Sequence, residues 1–346
     1  MTNNLQQPFF SIIIPAYNVE KYIKNTINSV VNQKFQDYEL IIIEDCSTDS
    51  TLSIIENYVK SNEKIKIIKQ PENSTQHVAR IDGVAAAQGL YILFLDGDDS
   101  FTENAFAILN EYIITNPNFD FYEFGYIRMP SSVVVLPLSV DENRFHSFFY
   151  KKKYPLHTVW NRVYETNILK KAFSSMKRIR INQGVEDYYE SVVISYYSKK
   201  YTIIKKVIIN YSIGIGISTT YKCYDAIIAY LDSTIFMIGL VEEFLKINDF
   251  QINLDNVMYR YMSFAIKNYF ITQKDNNEKN KLFQILPNYF SIPLILKYLE
   301  SSCSKYFFKN KELKSSKDYR LGRFLLFPIR KIKYFISQTR ALIKKN

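Results

Sequence analysis

The sequence predicts an α/β fold, a mostly parallel sheet with helices on both faces, followed by a C-terminal helical region. Short apolar runs at residues 9–14, 39–43, 65–69 and 91–95 alternate with stretches whose apolar residues recur at helical spacing. Polar, acidic and proline residues gather immediately after each run, where a parallel sheet binds its ligands. From Tyr224 onward the pattern is helical, with a polar break over 274–281.

The first run ends at Pro15-Ala16-Tyr17-Asn18, and Tyr22/Ile23, Thr26/Ile27 and Val30/Val31 carry the helix after it. The second ends at Glu44-Asp45-Cys46-Ser47. Ser47, Thr48 and Asp49 cap a helix built on Leu52, Ile55 and Tyr58/Val59. The third ends at Gln70-Pro71-Glu72-Asn73 and leads into a helix with Val78, Ile81 and Ala85 that stops before Gly89. The fourth ends at Asp96-Gly97-Asp98-Asp99. This is βαβαβαβ, so the strands are parallel and their four polar ends share one rim. Next come a helix over 102–114, entered directly from Ser100-Phe101, and a strand over 119–126. An irregular Pro-containing stretch, helices over 165–173 and 186–198, and a β segment over 201–211 complete the series.

At 346 residues, 47% of them apolar, the chain can bury a full core of one large domain or two ordinary ones. Its 28 Tyr, 25 Phe and only 9 Gly point to no chemistry by themselves. Three distant cysteines, Cys46, Cys223 and Cys303, speak against a disulfide framework or a zinc site and suit a reducing compartment. The N-terminus lacks a basic segment followed by an apolar core, and no stretch approaches about 18 apolar residues, so neither secretion nor a membrane span is expected. The net charge of +10 sits in the tail, where residues 305–346 hold 13 Lys and Arg against 2 Asp and Glu.

The acidic turn carries the chemistry. Three carboxylates at one strand end repel one another unless a cation sits among them, and hard oxygen ligands select Mn²⁺ or Mg²⁺. Neither G-x-G-x-x-G nor G-x-x-x-x-G-K-[ST] is present, so a nucleotide would be held by side chains and a metal. As a bare motif, the turn also fits a helix N-cap with spare surface acids.

Ser11-Ile12-Ile13-Ile14-Pro15-Ala16-Tyr17-Asn18, Ile43-Glu44-Asp45-Cys46-Ser47-Thr48-Asp49, Ala79-Arg80-Ile81-Asp82-Gly83 and the D-x-D turn occur in order. In this, residues 9–218 resemble family 2 glycosyltransferases, inverting enzymes with a GT-A fold and its Rossmann-like sheet. Cys46 stands where that family usually has Gly, and Asp82 where it has Asn. The resemblance implies a domain over 1–218, with 9–99 binding the nucleotide sugar and 100–218 forming the acceptor and catalytic half. A helical region over 219–346 would follow.

The same resemblance implies site roles. Asp45 would accept a hydrogen bond from the uracil imide, with Pro15, Tyr17 and Glu20 near the nucleoside. Asp96 would lie by the ribose and the metal, Asp98 would ligate the metal, and Asp99 would face the sugar or phosphates. Arg80 could pair with the diphosphate through its planar fork or be a solvated helix cation. Inverting transfer needs a base. Gly184-Val185-Glu186-Asp187-Tyr188-Tyr189 resembles the E-D motif, which makes Asp187 the base and Glu186 its support; a capping pair at a helix start fits the same residues. Val159-Trp160-Asn161-Arg162-Val163-Tyr164 resembles the W-N-K-L-Y stretch of capsule and lipopolysaccharide members. Trp160 could stack on an acceptor sugar with Asn161 beside it, although an aromatic of this size more often packs in a core. Residues 211–218 resemble a donor-phosphate segment with Gly216 and Ser218. His77, His146 and His157 read as surface or loop residues.

The implied partners are a UDP-sugar donor and a glycan or lipid-linked glycan acceptor. After Pro328, Ile329, Ile332, Ile336 and Ile343 form one helical stripe beside Arg330, Lys331, Lys333, Arg340, Lys344 and Lys345. This is a basic amphipathic helix suited to an anionic membrane surface, or to packing with a solvated face, rather than to nucleic acid. The expected place is cytoplasmic, peripheral on the cytoplasmic face of the inner membrane; oligomeric state stays open, a homo-oligomer included. Two rivals remain. A sugar-nucleotide pyrophosphorylase should carry a Gly-rich basic loop after its first strand, and a non-catalytic glycan-binding protein should lack the metal or base residues.

Overall fold

A computed structural model of the chain describes residues 7–137, 139–140, 144–150, 157–182, 184–213, 224–272, 285–291 and 295. The chain divides into two compact units, Met1–Thr220 with Phe236–Ile252, and Tyr221–Ile235 with Asn253–Asn346. The elements of the first part are β1 (Phe10–Ala16), α1 (Ile23–Val31), β2 (Tyr38–Glu44), α2 (Thr51–Ser61), β3 (Ile65–Lys69), α3 (Thr75–Ala86), β4 (Tyr91–Phe94), β5 (Ser100–Phe101) and α4 (Ala105–Thr115). They continue with β6 (Phe121–Met129), β7 (Val133–Val135), α5 (Arg144–Tyr150), β8 (Arg162–Glu165), α6 (Thr166–Ser174), α7 (Glu186–Tyr197), β9 (Tyr201–Ser212), α8 (Tyr224–Ile247) and α9 (Asp255–Thr272).

The described strands form one sheet in the order β3-β2-β1-β4-β8-β6-β9-β5, with β7 paired to β6. β3, β2, β1 and β4 are parallel, which is the βαβαβαβ half. Ile12, Ile13 and Ile14 on β1 and Ile41, Ile42 and Ile43 on β2 are fully buried, because helices cover both faces of these strands. Each such side chain contributes about 1.5–3 kcal/mol relative to exposure. Gly83 lets α3 lie directly on β1: a Cβ there would overlap the Ile13 side chain.

Past Leu95 the structure departs from the expected elements. Ser100-Phe101 is strand β5, antiparallel to β9, and not the start of a helix. Phe101 is buried against Phe106 and its amide donates to Ser29 Oγ at 3.0 Å, so α4 begins only at Ala105, after Asn104 with φ 60°. The irregular stretch contains β7, α5 and β8. Strand β8, only four residues long, runs antiparallel between β4 and β6. Its charged Arg162 hides it from an apolar pattern, and that charge is tolerated inside the sheet because Arg162 Nε bonds Glu123 Oε2 on β6 at 3.1 Å.

Helix α8 bears on the expectation of no membrane span without overturning it. By length and composition alone it is apolar enough to cross a membrane, with a mean hydropathy of 1.5 over an 18-residue window that is 44% buried. Asp225 and Asp232 break the run in the sequence. Within the first unit its Met237, Val241, Phe244 and Leu245 are buried, with Phe244 edge-on to Tyr196, as in a core helix. The basic tail helix, Gly216, Ser218, Cys223, Cys303 and the break at 274–281 lie outside the described residues.

Candidate active site

The strand ends form a rim stitched by short bonds. Asp45 N–H donates to Ala16 O at 2.9 Å, and Gln70 N–H donates to Glu44 O at 2.8 Å. Pro15 is half-buried and Tyr17 exposed at the end of β1. Glu20 accepts from Ser50 N–H at 3.0 Å, while its own amide donates to Asp49 Oδ2. Asp45 is buried at the N-terminus of α3. Its two oxygens accept from the Ser74 and Thr75 amides at 2.7 and 2.9 Å. Burial pushes its carboxyl up and those two amides hold it down, with burial prevailing. Cys46 adopts φ 62°, the left-handed conformation that glycine takes freely. Asp82 is bound by Gln70 Nε2 and, at 2.8 Å, by Arg178 Nη2, so the second departure from the family pattern is matched by a cation.

The acidic turn is tied down around its carboxylates. Thr26 Oγ1 donates to Gly97 O, and Ser212 at the end of β9 donates its hydroxyl to Asp98 O and its amide to Asp99 Oδ1, each at 2.7 Å. Asp99 Oδ2 is buried with no hydrogen-bond partner. Burial pushes all three carboxyls up: Asp96 reaches about 7, Arg80 restraining it and Asp98 adding to the rise, while Asp99 is driven further by Asp96 and Asp98.

Arg80 joins this turn to α7. It is buried, which excludes the solvated-cation reading. Its Nη1 donates to Asp187 Oδ1 at 2.6 Å and to Glu190 Oε2 at 2.8 Å, and its Nη2 lies 3.5 Å from Asp96 Oδ1. The carboxylates hold its guanidinium well above the ordinary value against the effect of burial. Asp187 is pushed up by burial and pulled down by Arg80, with a net rise. Glu186 is buried, its Oε2 lacks a partner, and burial reinforced by Asp187 pushes it up to about 8. So α3, the β4 turn and α7 bring Arg80, Asp96, Asp98, Asp99, Glu186 and Asp187 into one cluster.

Among the described residues no three His, Cys, Asp or Glu side chains gather as a metal-binding group. The donor set nevertheless fits a divalent cation. Mg²⁺ and its like are usually held by one or two carboxylates together with phosphates and water, and Asp96 and Asp98 are hard oxygen ligands. Their raised values and the orphaned Asp99 oxygen mark surplus negative charge that a cation would relieve.

Trp160 is buried. It stacks on Tyr211 at 4.7 Å between ring centroids and meets Tyr126 edge-on at 4.8 Å, so packing accounts for its faces. Asn161 is fully buried, accepting from Thr158 Oγ1 at 2.8 Å and donating to Phe124 O at 3.4 Å. His77 is not a surface or loop residue: it is fully buried on α3 and bonds Glu190. His146 is half-buried on α5, and His157 is exposed before β8. Sequence reasoning missed Gln76 and Glu190, misplaced His77, and singled out the segment 211–218 for Gly216 and Ser218 without its first residues, Tyr211 and Ser212. Gln76 Nε2 donates to Asp96 Oδ1 at 2.5 Å, and Tyr211 is driven up first by burial and then by Asp96, Asp99, Asp98 and Asp187. Helical spacing signals two of them, since His77 lies three residues before Arg80 and Glu190 three after Asp187.

Residues 11–173 match the family model described as glycosyl transferase family 2. The putative teichuronic acid biosynthesis glycosyltransferase TuaG of Bacillus subtilis (strain 168) is 42% identical over 104 residues, 30% of this chain and 40% of the relative's own length. S. aureus TarS 1–349, solved in complex with UDP-GlcNAc, superimposes with a TM-score of 0.50 at 19% identity over 75% of this chain and 81% of that one. The mannosyltransferase PcManGT from Pyrobaculum calidifontis, solved with GDP-Man and Mn²⁺, gives 0.51 at 11% identity over 93% and 86%. At these identities the two structures speak for a shared α/β fold of GT-A type.

Proposed function

We propose that the chain, whose residues 11–173 match the family 2 glycosyltransferase model, is an inverting, metal-dependent enzyme that moves a sugar from a UDP-sugar to a hydroxyl of a bacterial surface glycan or lipid-linked oligosaccharide. One observation carries the reading. A single buried guanidinium, Arg80, touches both Asp96 of the D-x-D turn and Asp187 of the E-D motif, so the residues read as donor-binding and as base meet in one place.

Asp187 takes the proton of the acceptor hydroxyl. Burial raises it and Arg80 keeps it from rising further, and a raised carboxyl is the stronger base toward the acceptor proton. Asp98 and Asp96 would hold Mn²⁺ or Mg²⁺, which when bound supplies positive charge against the leaving diphosphate. Asp45 reads the uracil edge from the end of β2, beside Pro15 and Tyr17. The TuaG likeness supports a surface-glycan acceptor, and the basic tail supports a peripheral place on the cytoplasmic side of the membrane. A guanine nucleotide, as in the mannosyltransferase neighbour, is the rival donor.

The test is nucleotide release from a panel of UDP- and GDP-sugars, with and without Mn²⁺, by the wild type and by Asp98→Ala and Asp187→Ala, each checked for folding. Metal-dependent cleavage of one UDP-sugar, lost in Asp98→Ala, is expected. Wild-type protein that neither binds nor cleaves any nucleotide sugar overturns the proposal, and cleavage confined to GDP-sugars overturns the Asp45 assignment.

A further inference from the structure

His77 lies one turn before Arg80 on α3, fully buried, and the reaction above gives it no task. Both ring nitrogens meet oxygens. Nδ1 is 2.7 Å from Glu190 Oε1, and Nε2 is 3.0 Å from the backbone carbonyl oxygen of Lys177. A carbonyl oxygen only accepts, so Nε2 carries a proton. The contact at Nδ1 holds a further proton, shared with Glu190, and the other oxygen of Glu190 decides where it rests. That oxygen accepts from Arg80 Nη1 at 2.8 Å. The guanidinium, ahead of His77 itself, holds the Glu190 carboxyl below its ordinary value in spite of complete burial. An ionised Glu190 leaves the proton on the imidazole.

We infer that His77 is a buried imidazolium, protonated on both nitrogens, that fixes Glu190 and thereby acts as a positioning residue for Arg80 and Asp187. The charges facing it make this role necessary. Glu186, Asp187 and Glu190 face the pair from α7, Arg80 from α3, and Tyr189 tilts over the ring at 5.8 Å. The Lys177 ammonium is turned outward to Glu243 at 2.6 Å and offers no charge here. Without the imidazolium, Arg80 answers Glu190, Asp187 and Asp96 together, with Arg162 adding its charge at Asp187. Glu190 then draws Nη1 away from Asp187, and the base loses the contact that orients it.

The protonation half of this inference stands apart from the transferase reading, and the positioning half rests on it. The first experiment is NMR of isotope-labelled histidine ring nitrogens in the full chain. The chain has three histidines, and His77→Gln removes one set of signals and so assigns it. Two protonated nitrogens near neutral pH are expected, since both nitrogens face oxygens; one bare nitrogen there overturns the imidazolium. In Glu190→Gln the ring loses its counter-charge and should become a neutral tautomer near neutrality, whereas a ring still doubly protonated there overturns Glu190 as its partner. In nucleotide-release kinetics, His77→Gln should lower kcat about 10- to 100-fold, the scale of a displaced catalytic group, with KM nearly constant. An unchanged kcat overturns the positioning role. If the wild type shows no turnover, the transferase reading fails while the ring spectrum still decides the charge of His77.

Discussion

Two acidic regions on the same sheet rim have opposite fates. After β2, backbone amides meet each carboxylate. Asp45 takes the Ser74 and Thr75 amides, Glu44 takes Ser47 N–H at 2.6 Å, and Asp49 takes Thr51 N–H at 2.9 Å. After β4 and at the start of α7, Asp99 Oδ2 and Glu186 Oε2 are buried with no partner, and Asp96, Glu186 and Asp187 look to one guanidinium already shared with Glu190. Carboxylates met by amides set the shape of loops and keep further lone pairs, which Asp45 would turn to a uracil imide. Carboxylates left short of partners are pushed toward the protonated form, and a bound cation would favour their ionisation, which a metal-assisted transfer would draw on.

The largest effect that could break this contrast lies at Asp187. Asp187→Asn keeps the shape and removes both the base and one negative charge from Arg80. Under the proposed chemistry kcat for transfer should fall about 10²- to 10⁴-fold, the usual contribution of general-base catalysis, with folding intact. Turnover close to wild type would put the base elsewhere.

Glu186 sharpens the contrast through pH. Its folded value of about 8 lies above the ordinary 4.5, so folding takes up a proton between those two values. The stability this carboxyl contributes is therefore full below about pH 4.5 and is lost as pH rises through about 8, at up to ~1.4 kcal/mol per pH unit within the window. Glu186→Gln should remove that slope, so that its urea midpoint exceeds wild type by more at pH 8 than at pH 5. Parallel pH curves for the two proteins would mean that Glu186 is already ionised in the folded state.

Asp45 tests the amide-bound side. Asp45→Ala leaves two amides at the head of α3 without their acceptor and should cost about 2 kcal/mol in urea unfolding. A midpoint equal to wild type would show that water replaces the carboxylate and that the region is not held as described.

The legibility of the molecule follows the same division. The first four strands and their rim could be read because parallel strands buried on both faces are continuous apolar runs, as in Ile12–Ile14 and Ile41–Ile43, and the ligand side follows from topology. β5 and β8 could not, since each is short and exists through distant pairing: Phe101 with Ile209, Val163 with Leu93 and Tyr122. In the site, Asp98, Asp187 and Arg80 stood out by motif, but that Arg80 joins the other two segments did not. Arg80 read equally as a surface cation, because its burial depends on α7, more than a hundred residues away in sequence. His77 was misread for the same reason. An isolated histidine carries no ligand spacing, and its meaning comes only with Glu190.

Cys46 gives the smallest and most local test. It sits between Asp45 and Ser47 with φ 62°, in a region where a side chain crowds the following carbonyl oxygen, at about 1–2 kcal/mol for a non-glycine residue. The loop holds because its neighbours are pinned: Asp45 N–H bonds Ala16 O, and Ser47 N–H bonds Glu44 Oε1. Glycine at this position would relieve the crowding but lose more freedom on folding, which offsets part of the gain. Cys46→Gly should therefore stabilise the chain by about 0.5–1 kcal/mol, read as a rise in urea midpoint with an unchanged slope. Cys46→Val should destabilise it by at least as much, since β-branching worsens the same conflict. If glycine and valine unfold at the wild-type midpoint, the loop does not hold the left-handed turn, and the path of the chain from Asp45 to Ser47 has to be redrawn.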